Sequence, residues 1–222
     1  MSTTRPGPLP YPALCLVTDR YYSRGRLLSD LVSEAVVGGV NIVQLREKDL
    51  AAGELLIQAE VMRDVTGNAN ALFLVNDRLD VAMAAGADGV ELGEEAMPVA
   101  MVRRIAGERM LIGRSVHSLD GAREAEAQGA NFLVVGTIFP SVSHQGTIPA
   151  GLELLARIQR VVHIPFLAVG GVNATNVAQV MAQGAAGVAV ITAILGSERP
   201  RQAAGELKEA MAAGLREGLP VR

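Results

Sequence analysis

The chain predicts a (β/α)8 TIM barrel of the α/β class, and three observations carry that prediction. Eight short apolar runs alternate with eight helical stretches along the 222 residues. Strict alternation specifies a parallel sheet, and eight units favour a closed barrel over an open sheet. The runs are apolar almost throughout, as strands buried on both faces are. Polar residues gather at the C-terminal ends of the runs, the face on which such barrels place their chemistry.

Taken in order, the first run, 13–19, closes on Thr18 and Asp19 and leads into the amphipathic stretch 27–38. The second, 42–47, carries Gln44 and Arg46 with Lys48 just beyond, and 51–66 follows. The third, 72–77, closes on Asn76 and Asp77 before the stretch 79–86. The fourth, 89–93, precedes 98–106, and the fifth, 111–116, contains Ser115 with His117 beyond it and 119–129 after. The sixth, 132–138, opens a polar loop bearing Ser141, Ser143 and His144 ahead of 150–160. The seventh, 166–171, closes on Gly170 and Gly171 before 173–184, and the eighth, 187–192, closes on Thr192 before 198–215.

A weak internal repeat supports the count. Gly39, Gly86, Gly129 and Gly184 each end a helical stretch and lead into the second, fourth, sixth and eighth runs. Glycine suits a helix C-cap because it adopts a left-handed conformation without a Cβ penalty. The spacing matches a barrel assembled from quarters. We expect one barrel over residues 13–215, a loose proline-rich arm over 1–12 and a short tail over 216–222.

Half of the residues are hydrophobic, enough for a large core, and the net charge of −3 offers no footprint for nucleic acid or an anionic membrane. Any basic site must be local. Cys15 is the single cysteine and lies in an apolar run, so it reads as a buried reduced thiol. No segment reaches the roughly 18 continuous apolar residues of a membrane span. The expectation is a cytoplasmic protein acting on small molecules, with a homo-oligomer left open.

The chemistry concentrates in 42–48. Side chains alternate along a strand, so Gln44, Arg46 and Lys48 share one side, and Leu45 and Glu47 the other. Three donors, two of them cationic, suit a polyanion such as pyrophosphate, because Arg binds two oxygens in a planar fork and Lys adds a point charge. Asp77 at a strand end suits Mg2+, which takes one or two carboxylates plus phosphate oxygens and water. It equally suits an N-cap for the next helix. The loop 136–146 offers hydroxyls, amides and His144 to a phosphate. Gly170 and Gly171 let a backbone approach an anion or simply turn, and a phosphate site after strands seven and eight recurs in barrels. His117 suits an acid or base near neutral pH, or a structural role.

These motifs, with Gln44-x-Arg46-x-Lys48, Val75-Asn76-Asp77, Ala87-Asp88-Gly89-Val90, the 136–143 loop and Ala168-Val169-Gly170-Gly171-Val172 in order, resemble the thiamine-phosphate synthase family and its thiazole tautomerase relatives. The resemblance runs from about residue 13 to 195. It implies condensation of a pyrimidine pyrophosphate with hydroxyethylthiazole phosphate, releasing pyrophosphate with Mg2+ bound. By position it implies pyrophosphate held by Gln44, Arg46 and Lys48 near Asn76, the metal on Asp77, and the pyrimidine at Ser115. Ser141 and Ser143 would meet the thiazole phosphate, together with Gly171, Ile191 and Thr192.

Three positions depart from that pattern. A second Mg2+ aspartate is replaced by Ala96, with Glu95 adjacent as a substitute ligand; the lysine of the loop is His144; and Glu91 stands where histidine is common. The run Gly113–Ser118 resembles the tautomerase branch, in which the histidine matching His117 shuttles a proton. The synthase is the expected activity, the tautomerase the runner-up, and a non-catalytic phosphate-ligand-binding regulator the third reading.

Overall fold

The computed structural model describes residues 7–141, 146 and 148–217. Eight parallel strands close on themselves: β1 (Ala13–Val17), β2 (Ile42–Leu45), β3 (Leu72–Asn76), β4 (Gly89–Leu92), β5 (Leu111–Val116), β6 (Phe132–Val135), β7 (Phe166–Val169) and β8 (Gly187–Val190). Each pairs with the next in sequence, and β8 returns to β1 with Leu14 opposite Val188. The helices are α1 (Leu28–Val37), α2 (Ala52–Asn68), α3 (Leu79–Ala84), α4 (Val99–Ala106), α5 (Leu119–Ala127), α6 (Gly151–Val161), α7 (Val177–Met181), α8 (Thr192–Leu195) and α9 (Pro200–Glu217). The expected barrel is therefore the observed one.

The apolar runs become strands because both faces are covered. Ile42 and Val43, on opposite sides of β2, are both fully buried, as are Leu14 and Cys15 on β1. Size is matched across the barrel: Gly113 lies opposite Phe132 in register, and a Cβ at Gly113 would sit 2.3 Å from the ring. The ring occupies the room that the missing side chain leaves, which is how barrel interiors reach native packing density.

The four glycines of the repeat all have positive φ, from +63° at Gly86 to +114° at Gly39. Two residues after the first three comes a second repeated device, absent from the sequence reading. Asn41, Asp88 and Asn131 each accept the backbone N–H of the second residue of the preceding strand: Leu14 at 2.8 Å, Phe73 at 2.8 Å and Ile112 at 2.8 Å. Arg63 also binds Asp88, and Arg103 binds Asn131. These ties lie at the N-terminal mouth, opposite the polar strand ends. At the fourth position stands Ala186, which bonds only through its backbone, donating to Phe166 O at 2.9 Å and accepting from Ala13 N at 3.0 Å.

Several expected boundaries are corrected. The strands stop two or more residues short of their predicted C-terminal ends in five units, because residues such as Thr18, Arg46 and Gly136 leave the ladder to form the mouth of the barrel. Thr192 does not end β8 but opens α8, a ninth helix that sequence reading merged into the strand. The stretch 173–184 yields only α7, since Asn173 and Asn176 staple a turn: Asn173 N–H donates to Asn176 Oδ1 (2.9 Å) and Asn176 Nδ2 to Gly171 O (2.9 Å). At the other end α9 runs through residue 217, past the expected boundary at 215.

Candidate active site

At the C-terminal mouth a cavity of about 200 Å3 is bounded by Gln44, Arg46 and Lys48 on one side and by Asn76, Asp77, Glu91, Ser115 and His117 on the other. The alternation read from 42–48 holds. Gln44 is inside the barrel and Arg46 is four-fifths buried, while Leu45 and Glu47 are buried on the outer side. Arg46 is set by β1: its backbone N–H donates to Thr18 Oγ (2.9 Å), and its guanidinium lies 3.7 Å from Asp19. Lys48 makes no ion pair among the described residues and stays available to a ligand.

The floor of this cavity is a side chain that the sequence reading noted only as an oddity. Glu91 is 2% exposed, accepts from Gln44 Nε2 (3.0 Å) and from Ser115 Oγ (2.8 Å), and faces Asn76 in register. Gln44 Nε2 also donates to Asn76 Oδ1 at 2.9 Å. Burial pushes the Glu91 carboxyl above its ordinary range, against the pull of the Ser115 hydrogen bond. The signal was present: a carboxylate between Val90 and Leu92 on an otherwise apolar strand has to face inward, where only a polar site tolerates it. Cys15 is buried and unpaired, and burial together with the Glu91 charge pushes its thiol up, so it offers no nucleophile.

Asp77 does not cap α3. That helix starts from Arg78 without a side-chain cap, and the Asp77 carboxylate instead accepts from Gly93 N–H (2.6 Å) and Asn76 Nδ2 (2.8 Å). Both oxygens keep further lone pairs toward the cavity, which Glu94 also lines. One buried-edge carboxylate with a second nearby is a hard-oxygen donor set, and it fits a Mg2+ ion whose shell is completed by phosphate and water. No group of three or more His, Cys, Asp or Glu that could hold a metal ion by itself exists among the described residues. Glu95, expected as a substitute ligand, is exposed and does not line the cavity, whereas Glu94 does. Ala96 packs against the core.

His117 is half exposed at the rim, with Nδ1 3.0 Å from Glu94 Oε1. Next to the cavity lies a second recess of about 250 Å3, walled by Gly170, Gly171, Ile191, Thr192 and Ser141. It meets the first at Val169 and Ile191. Gly171 has φ +65°, and a Cβ there would sit 2.4 Å from Pro140 O, so only glycine lets the 139–141 segment close onto this turn. Thr192 and Ala193 open α8 without a side-chain cap from Ile191, at the end where a helix's first N–H groups have no intrahelical partner. Ser143 and His144 lie outside the described residues.

A closed parallel barrel with a cationic row, a metal-competent carboxylate and an adjoining recess of glycines and backbone amides is the architecture of an enzyme that handles phosphate esters. Comparison with known proteins narrows the class. The profile of the thiamine monophosphate synthase family matches residues 14–194. The thiamine-phosphate synthase of Methanoculleus marisnigri is 45% identical over 92% of this chain and 98% of its own length. That of Roseiflexus sp. is 40% identical over 95% and 91%. The solved thiamine phosphate pyrophosphorylase of Pyrococcus furiosus superposes with a TM-score of 0.84 at 39% identity, covering 91% of this chain and 96% of that one. The chain belongs to the thiamine monophosphate synthase family.

Proposed function

We propose that this chain is a transferase that joins 4-amino-2-methyl-5-(diphosphooxymethyl)pyrimidine to hydroxyethylthiazole phosphate, giving thiamine phosphate and pyrophosphate. The observation that carries the reading is the pair of recesses meeting at Val169 and Ile191: one lined by Arg46, Lys48 and carboxylates, the other by glycines and amides. Two anionic substrates then sit side by side with their reacting ends at the junction. Neither the tautomerase nor the regulator finds support in the comparisons. A tautomerase would also leave the Gln44–Arg46–Lys48 row without work.

The chemistry needs little from the protein beyond placement and charge. The C–O bond to pyrophosphate breaks, the electron pair leaves with the pyrophosphate, and the thiazole nitrogen supplies the pair for the new C–N bond. An electron-rich aminopyrimidine delocalises the positive charge on the exocyclic carbon. Arg46 and Lys48 neutralise the departing oxygens, Asn76 Nδ2 keeps one hydrogen to donate beside them, and Gln44, whose amide hydrogens go to Asn76 and Glu91, holds Asn76 in place. Asp77, with Glu94 lining the same cavity, would hold a Mg2+ ion, which would supply further neutralisation of that charge. Ser115 and Glu91 form the polar floor on which the pyrimidine rests. Gly171, Ile191, Thr192 and Ser141 anchor the thiazole phosphate, turning an encounter of two substrates into an oriented one. Ser143 and His144 are proposed to join that anchor.

The barrel is proposed as a single unit over 13–215, and the reduced, buried Cys15 suits a cytoplasmic place. Among the described residues no helix is long and apolar enough to cross a membrane. The test is pyrophosphate release by purified protein given both substrates, with and without Mg2+. Metal-dependent release that requires the thiazole phosphate is expected. Folded protein that releases none would overturn the reading.

A further inference from the structure

Arg46 and Lys48 lie past the last ladder residue of β2, so pairing with neighbouring strands does not fix which way they point. They alternate with Glu47 and Asp49, two carboxylates close enough in sequence to neutralise them. Arg20, on the turn after β1, engages both. Its backbone N–H donates to Glu47 Oε2 at 3.1 Å and its Nη1 reaches the same oxygen at 3.3 Å. Its guanidinium fork then takes both oxygens of Asp49, Nη1 to Oδ1 at 2.7 Å and Nη2 to Oδ2 at 2.5 Å. The fork holds the Asp49 carboxyl below its ordinary range.

The arrangement is demanding in two respects. The Glu47 side chain is 3% exposed, and its Oε1 has no hydrogen-bond partner, so Arg20 is its one counter-charge within 4 Å among the described residues. A buried carboxylate stripped of its cation is costly and seeks another. The cations next to it in the chain are Arg46 and Lys48. The Arg46 backbone is tied to Thr18, but among the described residues its guanidinium has only the loose 3.7 Å contact to Asp19.

We infer that Arg20 is a positioning residue for pyrophosphate: by occupying Glu47 and Asp49 on the outer side, it keeps Arg46 and Lys48 turned inward and their charge uncommitted. This rests on the synthase reading above. Arg20 itself lines a neighbouring cavity, which Arg46 and Lys48 also border, and not the one that Gln44 and Asp77 bound. It acts through the loop and not by touching substrate. Lysine is a poor replacement, because one ammonium cannot span the carboxylates of residues 47 and 49 as a planar fork does.

The test is calorimetric titration of the full chain with inorganic pyrophosphate and Mg2+, paired with steady-state kinetics on both substrates. Arg20→Met is expected to weaken pyrophosphate about tenfold, the equivalent of one charge-assisted bond. Arg20→Lys should recover little, and Arg20→Met combined with Glu47→Gln should recover most, since the stranded carboxylate is then gone. The KM for the pyrimidine pyrophosphate should rise while that for the thiazole phosphate stays within about twofold. Asp49→Asn, on an exposed limb of the clamp, should show the same split in weaker form and serves if Arg20→Met does not fold. Wild-type affinity in Arg20→Met or, in its place, Asp49→Asn overturns the inference, and so does an equal rise in both KM values. Wild-type protein that binds no pyrophosphate overturns the synthase reading and the clamp together, which separates the two failures.

Discussion

Replacing Glu91 with Gln isolates the cost of the buried carboxylate at the floor of the cavity. Gln keeps the shape and both bonds: its carbonyl can accept from Gln44 Nε2, and its amide can donate to Ser115 Oγ, which turns to accept. What disappears is an ionisable group that is 2% exposed. Burial raises its pKa in the folded state, so between the unfolded value of about 4.3 and the raised one the native protein holds the extra proton. Stability is then fully present below the unfolded pKa and is lost as pH rises through the folded one. The loss runs up to about 1.4 kcal/mol per pH unit within that window. At about 2–4 °C per kcal/mol for a chain of this size, one unit of window appears as a melting shift of about 3–6 °C. Thermal denaturation of both proteins without ligand from pH 4.5 to 9 gives the difference curve. The Gln variant should match wild type at the acid end and melt progressively higher as pH rises. A difference that is flat, or that grows toward acid, would refute the reasoning.

Three further outcomes follow from the same geometry. Arg46→Ala removes at least one charge-assisted contact to the departing pyrophosphate, worth about 1.5–3 kcal/mol, so kcat/KM should fall about tenfold to a hundredfold with the fold intact by circular dichroism. His117→Asn should change turnover less than about threefold, because the ring sits at the rim against Glu94; near-complete loss would favour proton transfer by His117. Gly171→Ala places a Cβ 2.4 Å from Pro140 O at a φ of +65°, a strain of about 1–3 kcal/mol. It should raise the KM for the thiazole phosphate at least tenfold while sparing that for the pyrimidine pyrophosphate.

Much of this was legible in the chain because the barrel has a strict grammar. Apolar runs such as 13–17 and 132–135 can only be doubly covered strands, and period-two alternation alone placed Gln44, Arg46 and Lys48 on one side. What escaped was side-chain chemistry between distant segments. Glu91 looked like a missing histidine until Gln44 and Ser115, 47 residues before it and 24 after, were seen to hold it. Glu94 and Glu95 are neighbours with the same chemistry, and only the turn after β4 decides which faces the cavity. Asp77 read equally as a cap, and the choice lay with Gly93 N–H, 16 residues away. Thr192 was drawn into a strand because its apolar neighbours carry no mark of the short helix that begins there.

The three side-chain ties made by Asn41, Asp88 and Asn131 divide the barrel into bolted pairs of strands, β1–β2, β3–β4 and β5–β6, and leave β7–β8 unbolted at Ala186. The unbolted pair is the one whose opposite ends, Gly170–Gly171 and Ile191–Thr192, line the second recess. On the proposed function, the thiazole phosphate would be the fourth fastener. It would bridge from the top the quarter that the chain leaves untied at the bottom, so that the barrel is completed by what it binds.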